Sequence, residues 1–313
     1  MSKSIITITF SPSLDKSFSS PQMIEGKKLY CSTPHYDAGG GGINVARALQ
    51  RLGSPVTAIF PSGGRTGRTL ESILEESKVP FAAVKVKQET RENIIIREKE
   101  TRRHYQFIMP PPELNEQEYN DMLNMLETQA AGQLDYLVVS GSMPDNFPAD
   151  MFSRLSAFAQ ENRCRLIVDT SGAPLVRALE AGVYLAKPNV NELARLTGRT
   201  ALEGNAVEEA AKEALAAYKC EVLVVSLGKE GAMMVTRDHC CVFSVAVPSV
   251  KSTVGAGDSM VAGMIRYLSS GHSLEDMVKF GVACGSAATL HEGTELCHLD
   301  DVEKIYRLVK RVR

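Results

Sequence analysis

Leu134-Asp135-Tyr136-Leu137-Val138-Val139-Ser140 is a short apolar run rich in branched side chains, and a helical pattern separates it from a second run, Arg165-Leu166-Ile167-Val168-Asp169. Runs of this length read as strands, and strands joined through a helix cross over and lie parallel. The rhythm recurs at residues 5–10, 56–60 and 222–226, with helices expected over 43–52, 116–129, 207–218, 258–268 and 274–290. Parallel strands are buried on both faces, so the expected fold is α/β, a three-layer α/β/α core on a mainly parallel sheet.

Two stretches break this rhythm. Residues 17–36 and 81–109 are rich in β-branched, aromatic and charged side chains, and Ala83-Val84-Lys85-Val86-Lys87 and Tyr105-Gln106-Phe107 alternate. Such alternation suits antiparallel strands with one face packed and one exposed, hence a small β-sheet lid outside the core. Pro110-Pro111-Pro112 then ends the excursion, because prolines cannot continue a ladder. The expected division is a core of residues 1–14, 37–80 and 110–313, and a lid of residues 15–36 and 81–109.

The 313 residues, 44% hydrophobic and 23% charged, allow a large enzyme core. A net charge of −2 supplies no field for nucleic acid or an anionic membrane, so small molecules are the expected partners. Met1-Ser2-Lys3-Ser4-Ile5 does not begin a signal peptide, and no segment reaches the roughly 18 apolar residues needed to span a bilayer; a cytoplasmic protein is expected. The cysteines at 31, 164, 220, 240, 241, 284 and 297 are odd in number and lack Cys-x-x-Cys spacing, so most are expected as small buried hydrophobes. His239-Cys240-Cys241 and Cys297-His298 are not expected to bind metal, because adjacent side chains on a strand point to opposite faces.

Chemistry concentrates in three places. Ser252-Thr253-Val254-Gly255-Ala256-Gly257-Asp258-Ser259-Met260 sets small residues and a single carboxylate at the start of a helix. Backbone N–H groups there can approach an anion, the helix terminus adds partial positive charge, and Asp258 stands where a hydroxyl proton could be removed. This combination points to phosphoryl transfer. Gly39-Gly40-Gly41-Gly42-Ile43-Asn44 also opens a helix but fits a dinucleotide fingerprint poorly, since Asn44 stands where its third Gly belongs; close approach to a polyol fits better. Lys187-Pro188-Asn189-Val190-Asn191-Glu192 follows a strand, where Lys187 could contact phosphate and Asn189 and Glu192 the water shell of Mg²⁺. A proline turn capped by Asn189 accounts for the same residues. No Gly-x-x-x-x-Gly-Lys-Ser/Thr run is present, so a nucleotide would bind without a P-loop.

Taken in order, Gly39 to Arg47, Lys187-Pro188-Asn189 with Glu192, and Val254 to Asp258 resemble the signatures of the ribokinase-like (PfkB) sugar kinases over nearly the whole chain. Ser11-Pro12-Ser13-Leu14-Asp15, Ala58 to Gly64, Phe107 to Pro110, Ser140 to Pro144 and Phe280 to Leu290 resemble the branch acting on fructose 6-phosphate, as does Gly41, where neighbouring branches usually carry Lys. The resemblance implies a glycolytic reaction: ATP-dependent phosphorylation of the 1-hydroxyl to give fructose 1,6-bisphosphate. The same chemistry on fructose 1-phosphate or tagatose 6-phosphate is the alternative. A sugar-phosphate-binding protein without catalysis is a further reading, against which the intact Gly255 to Asp258 and Glu192 speak.

By resemblance, Asp258 is the general base, and the amides of Gly255, Ala256, Gly257 and Asp258 form the anion hole. Asp15, Gly40, Gly41, Asn44 and Ser140 hold the sugar, while Arg91 and Lys28 grip its phosphate, one such group coming from a partner subunit. Lys187, Asn189, Ser226, Gly228, Ser249, Val250, Val282 and Ser286 fall where ATP binds. Glu192, with Asp169 as a second candidate, organises Mg²⁺. Ser252, Val254 and Gly293 fall where a monovalent cation, K⁺, is held. The small sheet of the lid has edges and a face that want cover, so a homodimer through the lid is expected. Tyr30 replaces an expected Arg, whose contact Arg97, Arg102 or Arg103 could supply, and His291 and Glu295 replace the Asn and Arg expected beside the cation site.

Overall fold

In the computed structural model, which describes residues 4–247, 249–293 and 295–313, the apolar runs become strands of one large sheet. The chain begins β1 (Ile5–Ile8), β2 (Ser13–Ser20), β3 (His35–Gly39), α1 (Gly41–Arg51), β4 (Thr57–Ser62), α2 (Gly64–Glu76), β5 (Phe81–Lys85), β6 (Arg91–Glu98), β7 (His104–Phe107) and α3 (Glu116–Gln129). It continues β8 (Tyr136–Ser140), α4 (Met151–Glu161), β9 (Arg165–Asp169), α5 (Gly172–Ala181), β10 (Val183–Ala186), α6 (Val190–Leu196), α7 (Asn205–Ala217) and β11 (Cys220–Ser226). The last elements are β12 (Ala232–Val235), β13 (Cys240–Ser244), α8 (Ala256–Ser269), α9 (Leu274–Ala288), α10 (Leu299–Tyr306) and β14 (Lys310–Arg311). Met1 to Lys3, part of the segment read above against a signal peptide, lie outside the described residues.

Ten strands lie in the order β14-β13-β12-β11-β10-β9-β8-β1-β4-β5. From β11 to β5 neighbours are parallel, and β12, β13 and β14 extend the sheet antiparallel. Strand alternation divides the core between two faces. Tyr136 and Val138 pack with residues of α1, α2, α8, α9 and α10, whereas Leu137 and Val139 pack with residues of α3 to α7. The expected three layers are therefore present. Among the described residues, no helix is long and apolar enough to cross a membrane.

The small sheet has the order β3-β2-β6-β7. Its composition corrects the expected division in three respects. Phe81–Lys85 pairs parallel with β4, Ala58 beside Phe81, and so forms the edge of the large sheet. A half-covered edge strand alternates just as a lid strand does, with Val84 buried and Lys85 exposed, so the pattern could not separate them. Ser13 and Leu14 pair with Gly39 and Ala38, carrying the small sheet past the 14/15 and 36/37 boundaries. Finally, the central pair β2 and β6 is parallel, because the chain passes through β4, α2 and β5 between them. Among the cysteines, Cys241, Cys284 and Cys297 are buried, Cys31 is exposed, and all are free thiols.

Candidate active site

Ligands of open parallel sheets gather at the strand carboxyl ends, where neighbouring crossovers leave in opposite directions. Here that place is the gap between β1 and β8. The glycine run seats α1 over it. A Cβ on Gly42 would lie 2.5 Å from the Ile8 carbonyl oxygen, and one on Gly41 would lie 2.5 Å from the Gly141 nitrogen and Ser140 Oγ. A Cβ on Gly39 would strike Asp15 Oδ2 at 2.4 Å. Several of these glycines are thus required by the protein's own chain, whose close approach brings Asp15 and Ser140 beside the run.

Gly255 caps α8 with φ 75°, a left-handed turn that an L side chain resists. No side chain caps this helix, so its first-turn amides are free of the usual partner. Asp258 sits in that turn, accepting a hydrogen bond at Oδ2 from Asn44 Nδ2 at 2.9 Å. Arg47 explains the amide's orientation: a guanidinium only donates, and its Nη1 lies 3.4 Å from Asn44 Oδ1, leaving Nδ2 to face Asp258. Arg47 is itself buried and held by the Ala38 carbonyl and Asp37, at 2.7 and 2.9 Å. Sequence reading quoted Arg47 but assigned it no role; its place on the same helix face as Asn44, three residues on, was the available signal.

Burial and the nearby Asp169 carboxylate push the Asp258 carboxyl up to about 6, against the Asn44 hydrogen bond and the Lys187 charge, with a smaller upward push from Asp15. Lys187 Nζ lies 3.2 Å from Asp169 Oδ1. Burial draws the Lys187 pKa down, but Asp169, Asp258 and Glu192 outweigh it and hold the amine protonated. A Cβ on Gly257 would lie 3.6 Å from this ammonium, which places Lys187 beside the helix terminus.

Asn189 and Glu192 form a reciprocal capping box for α6: the Asn189 amide donates to Glu192 Oε2 at 2.8 Å, and the Glu192 amide donates to Asn189 Oδ1 at 2.9 Å. The capped-turn reading is therefore present, and burial with Asp169 nevertheless raises the Glu192 carboxyl against the Asn189 bond. Asp169 repels both Glu192 and Asp258, and such crowded carboxylates suit an oxygen-seeking Mg²⁺.

On the sugar side, Asp15 accepts from Ser13 Oγ and Asn93 Nδ2 at 2.8 and 2.9 Å, while burial raises its carboxyl. The Arg91 guanidinium donates to the Met109 and Ser11 carbonyls and to Ser142 Oγ at 2.9, 3.1 and 3.2 Å. Arg91 Nε, Ser140 Oγ and Ser11 Oγ are buried without a partner. Buried polar atoms normally find partners, so three unsatisfied ones along one cleft signal a missing polar ligand. Ser11, Ser13, Asn93 and Ser142 were missed as supports; only their spacing from Asp15 and Arg91 across β2 and β6 joins them.

Other candidates are placed less uniformly. Ser226 bridges to Asn189, and Gly228 opens a short turn with φ 62° and free space beside its Cα. Ser249 and Val250 are exposed and Ser286 half-buried, but Val282 is closed inside the core at 1% exposure, which removes its side chain from the cleft surface. Ser252 Oγ donates to the Gly293 carbonyl at 2.8 Å and accepts from the Val254 amide at 3.2 Å, so the three cation-site residues do meet. Lys28 is exposed on the loop between β2 and β3 and is not brought to this cleft. Arg97 is committed to an ion pair with Glu292, while Arg102 and Arg103 are exposed in the turn before β7. A cavity of about 1400 Å³ lies at the amino ends of β9, β10 and β11, around Arg165, Tyr184 and Lys219, away from this chemistry.

A carboxylate at a helix terminus, a neighbouring ammonium and a cleft lined by unpartnered polar side chains are the parts a sugar kinase needs, and the chain belongs to the pfkB family of carbohydrate kinases, whose profile matches residues 7–301. Its sequence is 44% identical over 310 residues to the ATP-dependent 6-phosphofructokinase isozyme 2 of Escherichia coli strain K12, covering 98% of this chain and 99% of that protein. It is 34% identical to a 1-phosphofructokinase of Borreliella burgdorferi over 96% of each chain. Crystal structures of the E. coli phosphofructokinase-2 with potassium and with fructose-6-phosphate are similar at TM-scores of 0.92 and 0.89, each 42% identical and covering 98% of this chain and 99% of that one.

Proposed function

We propose that this enzyme transfers the γ-phosphoryl group of ATP to the 1-hydroxyl of fructose 6-phosphate, giving fructose 1,6-bisphosphate and ADP. The observation that carries the reading is Asp258 in the first turn of α8, oriented by Asn44 and poised near pH 6. As the sugar oxygen attacks in line, Asp258 accepts its proton, and the amides of Gly255 to Asp258 with Lys187 stabilise charge on the transferring group. Glu192 and Asp169 would hold Mg²⁺, which would neutralise phosphate charge. Asp15, Asn44 and Ser140 fix the sugar, and Arg91 takes its phosphate through the free Nε. Ser252, Val254 and Gly293 offer carbonyl and hydroxyl oxygens of the kind that suit K⁺.

Fructose 6-phosphate is favoured over fructose 1-phosphate or tagatose 6-phosphate by the higher identity to the 6-phosphofructokinase and by Gly41, where this backbone leaves no space for a side chain. A homodimer through the lid accounts for exposed Phe107 and Ile108, 45% and 59% accessible, and would let Lys28 reach the partner's cleft. Both substrates are charged and do not cross lipid, which supports a cytoplasmic enzyme. An ATP-coupled assay over fructose 6-phosphate, fructose 1-phosphate, tagatose 6-phosphate and free sugars tests this. The highest kcat/KM should fall on fructose 6-phosphate, and a higher value for another acceptor overturns the assignment.

A further inference from the structure

Outside the kinase cleft, the described residues hold two groups of side chains able to ligate one ion: His239, Cys241 and Glu275, and His291, Glu295 and His298. In the first, His239 and Cys241 are two residues apart and so can share a face, which adjacent residues do not. Glu275, however, is already spanned by Arg311, whose Nη1 donates to both carboxylate oxygens at 2.9 and 3.0 Å. An ion there would have to displace a fixed positive charge.

Among the described residues, the second group has no such occupant. His298 Nε2 lies 2.6 Å from Glu295 Oε1, and His291 Nδ1 lies 3.9 Å from Glu295 Oε2. One ligand atom from each of the three residues falls within 4.8 Å of the others. Tetrahedral ligands at about 2.1 Å from Zn²⁺ need only a modest contraction from that spacing. The outer contact agrees: Asp301 Oδ2 lies 3.1 Å from His291 Nε2. A carboxylate accepts, so the imidazole proton is held at Nε2 and the Nδ1 lone pair is left facing Glu295. Carboxylate–histidine–metal arrangements are built this way. The side chains are 23%, 44% and 42% exposed for His291, Glu295 and His298, so an ion can enter and a water can complete its shell.

We infer that His291, Glu295 and His298, with Asp301 behind His291, form a binding site for a divalent ion of the Zn²⁺ class. Two imidazoles and one carboxylate select Zn²⁺, Co²⁺ or Ni²⁺ over Mg²⁺, which prefers oxygen alone. The ion takes the place of the direct contact between His298 and Glu295. Its position joins α10 to the segments that carry Gly293 and Leu296, and the Leu296 side chain would meet a Cβ on Gly255 at 2.8 Å, so the site adjoins the cation loop and the cap of α8.

Zinc titration by calorimetry, with excess Mg²⁺ present, tests the site in the whole protein. One equivalent should bind to the wild type, disappear in His298→Gln and His291→Gln, and persist in His239→Asn. Asp301→Ala should weaken binding about 10- to 100-fold, as loss of an outer partner does. Zn²⁺ should raise the melting temperature of the wild type and leave that of His298→Gln unchanged, while both melt alike without metal. Co²⁺ should give a tetrahedral spectrum lacking the intense thiolate charge-transfer band that ligation by Cys241 would add. Failure to bind, binding retained in both glutamine variants, or loss of binding in His239→Asn overturns the inference.

Discussion

Replacing Asp258 by Asn removes the proposed base and little else. The amide oxygen can still accept the Asn44 hydrogen bond, now 2.9 Å long, so the side chain keeps its place. General-base catalysis contributes about 10²- to 10⁴-fold. Turnover should therefore fall by that factor, equivalent to about 3–5 kcal/mol of barrier at 1.36 kcal/mol per decade. The KM for fructose 6-phosphate should change only a few-fold, because its phosphate and other hydroxyls meet different residues. The wild-type kcat should have an acid limb near pH 6, where Asp258 gains its proton, and the variant should lack it.

Stability should move the opposite way to activity. The folded-state pKa is raised from 3.8 to about 6, so the folded protein holds this proton more tightly than the unfolded chain. Wild-type stability thus falls as pH rises through that window, by up to about 3 kcal/mol at 1.36 kcal/mol per unit, and Asn escapes the loss. Melting curves of the two proteins should coincide below about pH 4 and separate above about pH 6, the variant melting higher. Near-normal turnover at pH 7.5, or an unchanged acid limb, would refute the role given to Asp258. A variant that melts lower at neutral pH would refute the electrostatic account of its burial.

Arg91→Ala should raise the KM for fructose 6-phosphate far more than that for an unphosphorylated sugar, measured side by side; equal effects would remove Arg91 from the phosphate. Gly41→Ala should destabilise the fold by about 1–3 kcal/mol in chemical denaturation, because its Cβ meets backbone that cannot yield. Gly257→Ala meets only the Lys187 ammonium, at 3.6 Å, so it should fold normally while losing turnover, a contrast that denaturation and kcat together can check.

Much of this protein is written in local pattern. The helix over residues 116–129 and the strand over 165–169 were readable to the residue, the first because Asn115 and Glu118 cap it reciprocally. The groups proposed to react were equally easy to single out, since Gly255 to Asp258 and Lys187 to Glu192 each lie within a few positions. Period-2 alternation in Phe81–Lys85 was not decisive, because an edge strand and a lid strand expose one face alike.

The sequence by itself determined a parallel three-layer core, a carboxylate at a helix mouth and the family to which both belong, for these depend on neighbours along the chain. Only the tertiary structure decided which sheet β5 joins, that Arg47 turns the Asn44 amide toward Asp258, and that Val282 is sealed in the core. It likewise decided that His291 presents Nδ1 to Glu295. Most of these outcomes depend on which elements pack together and how side chains are oriented within that packing. Sequence spacing alone does not specify either.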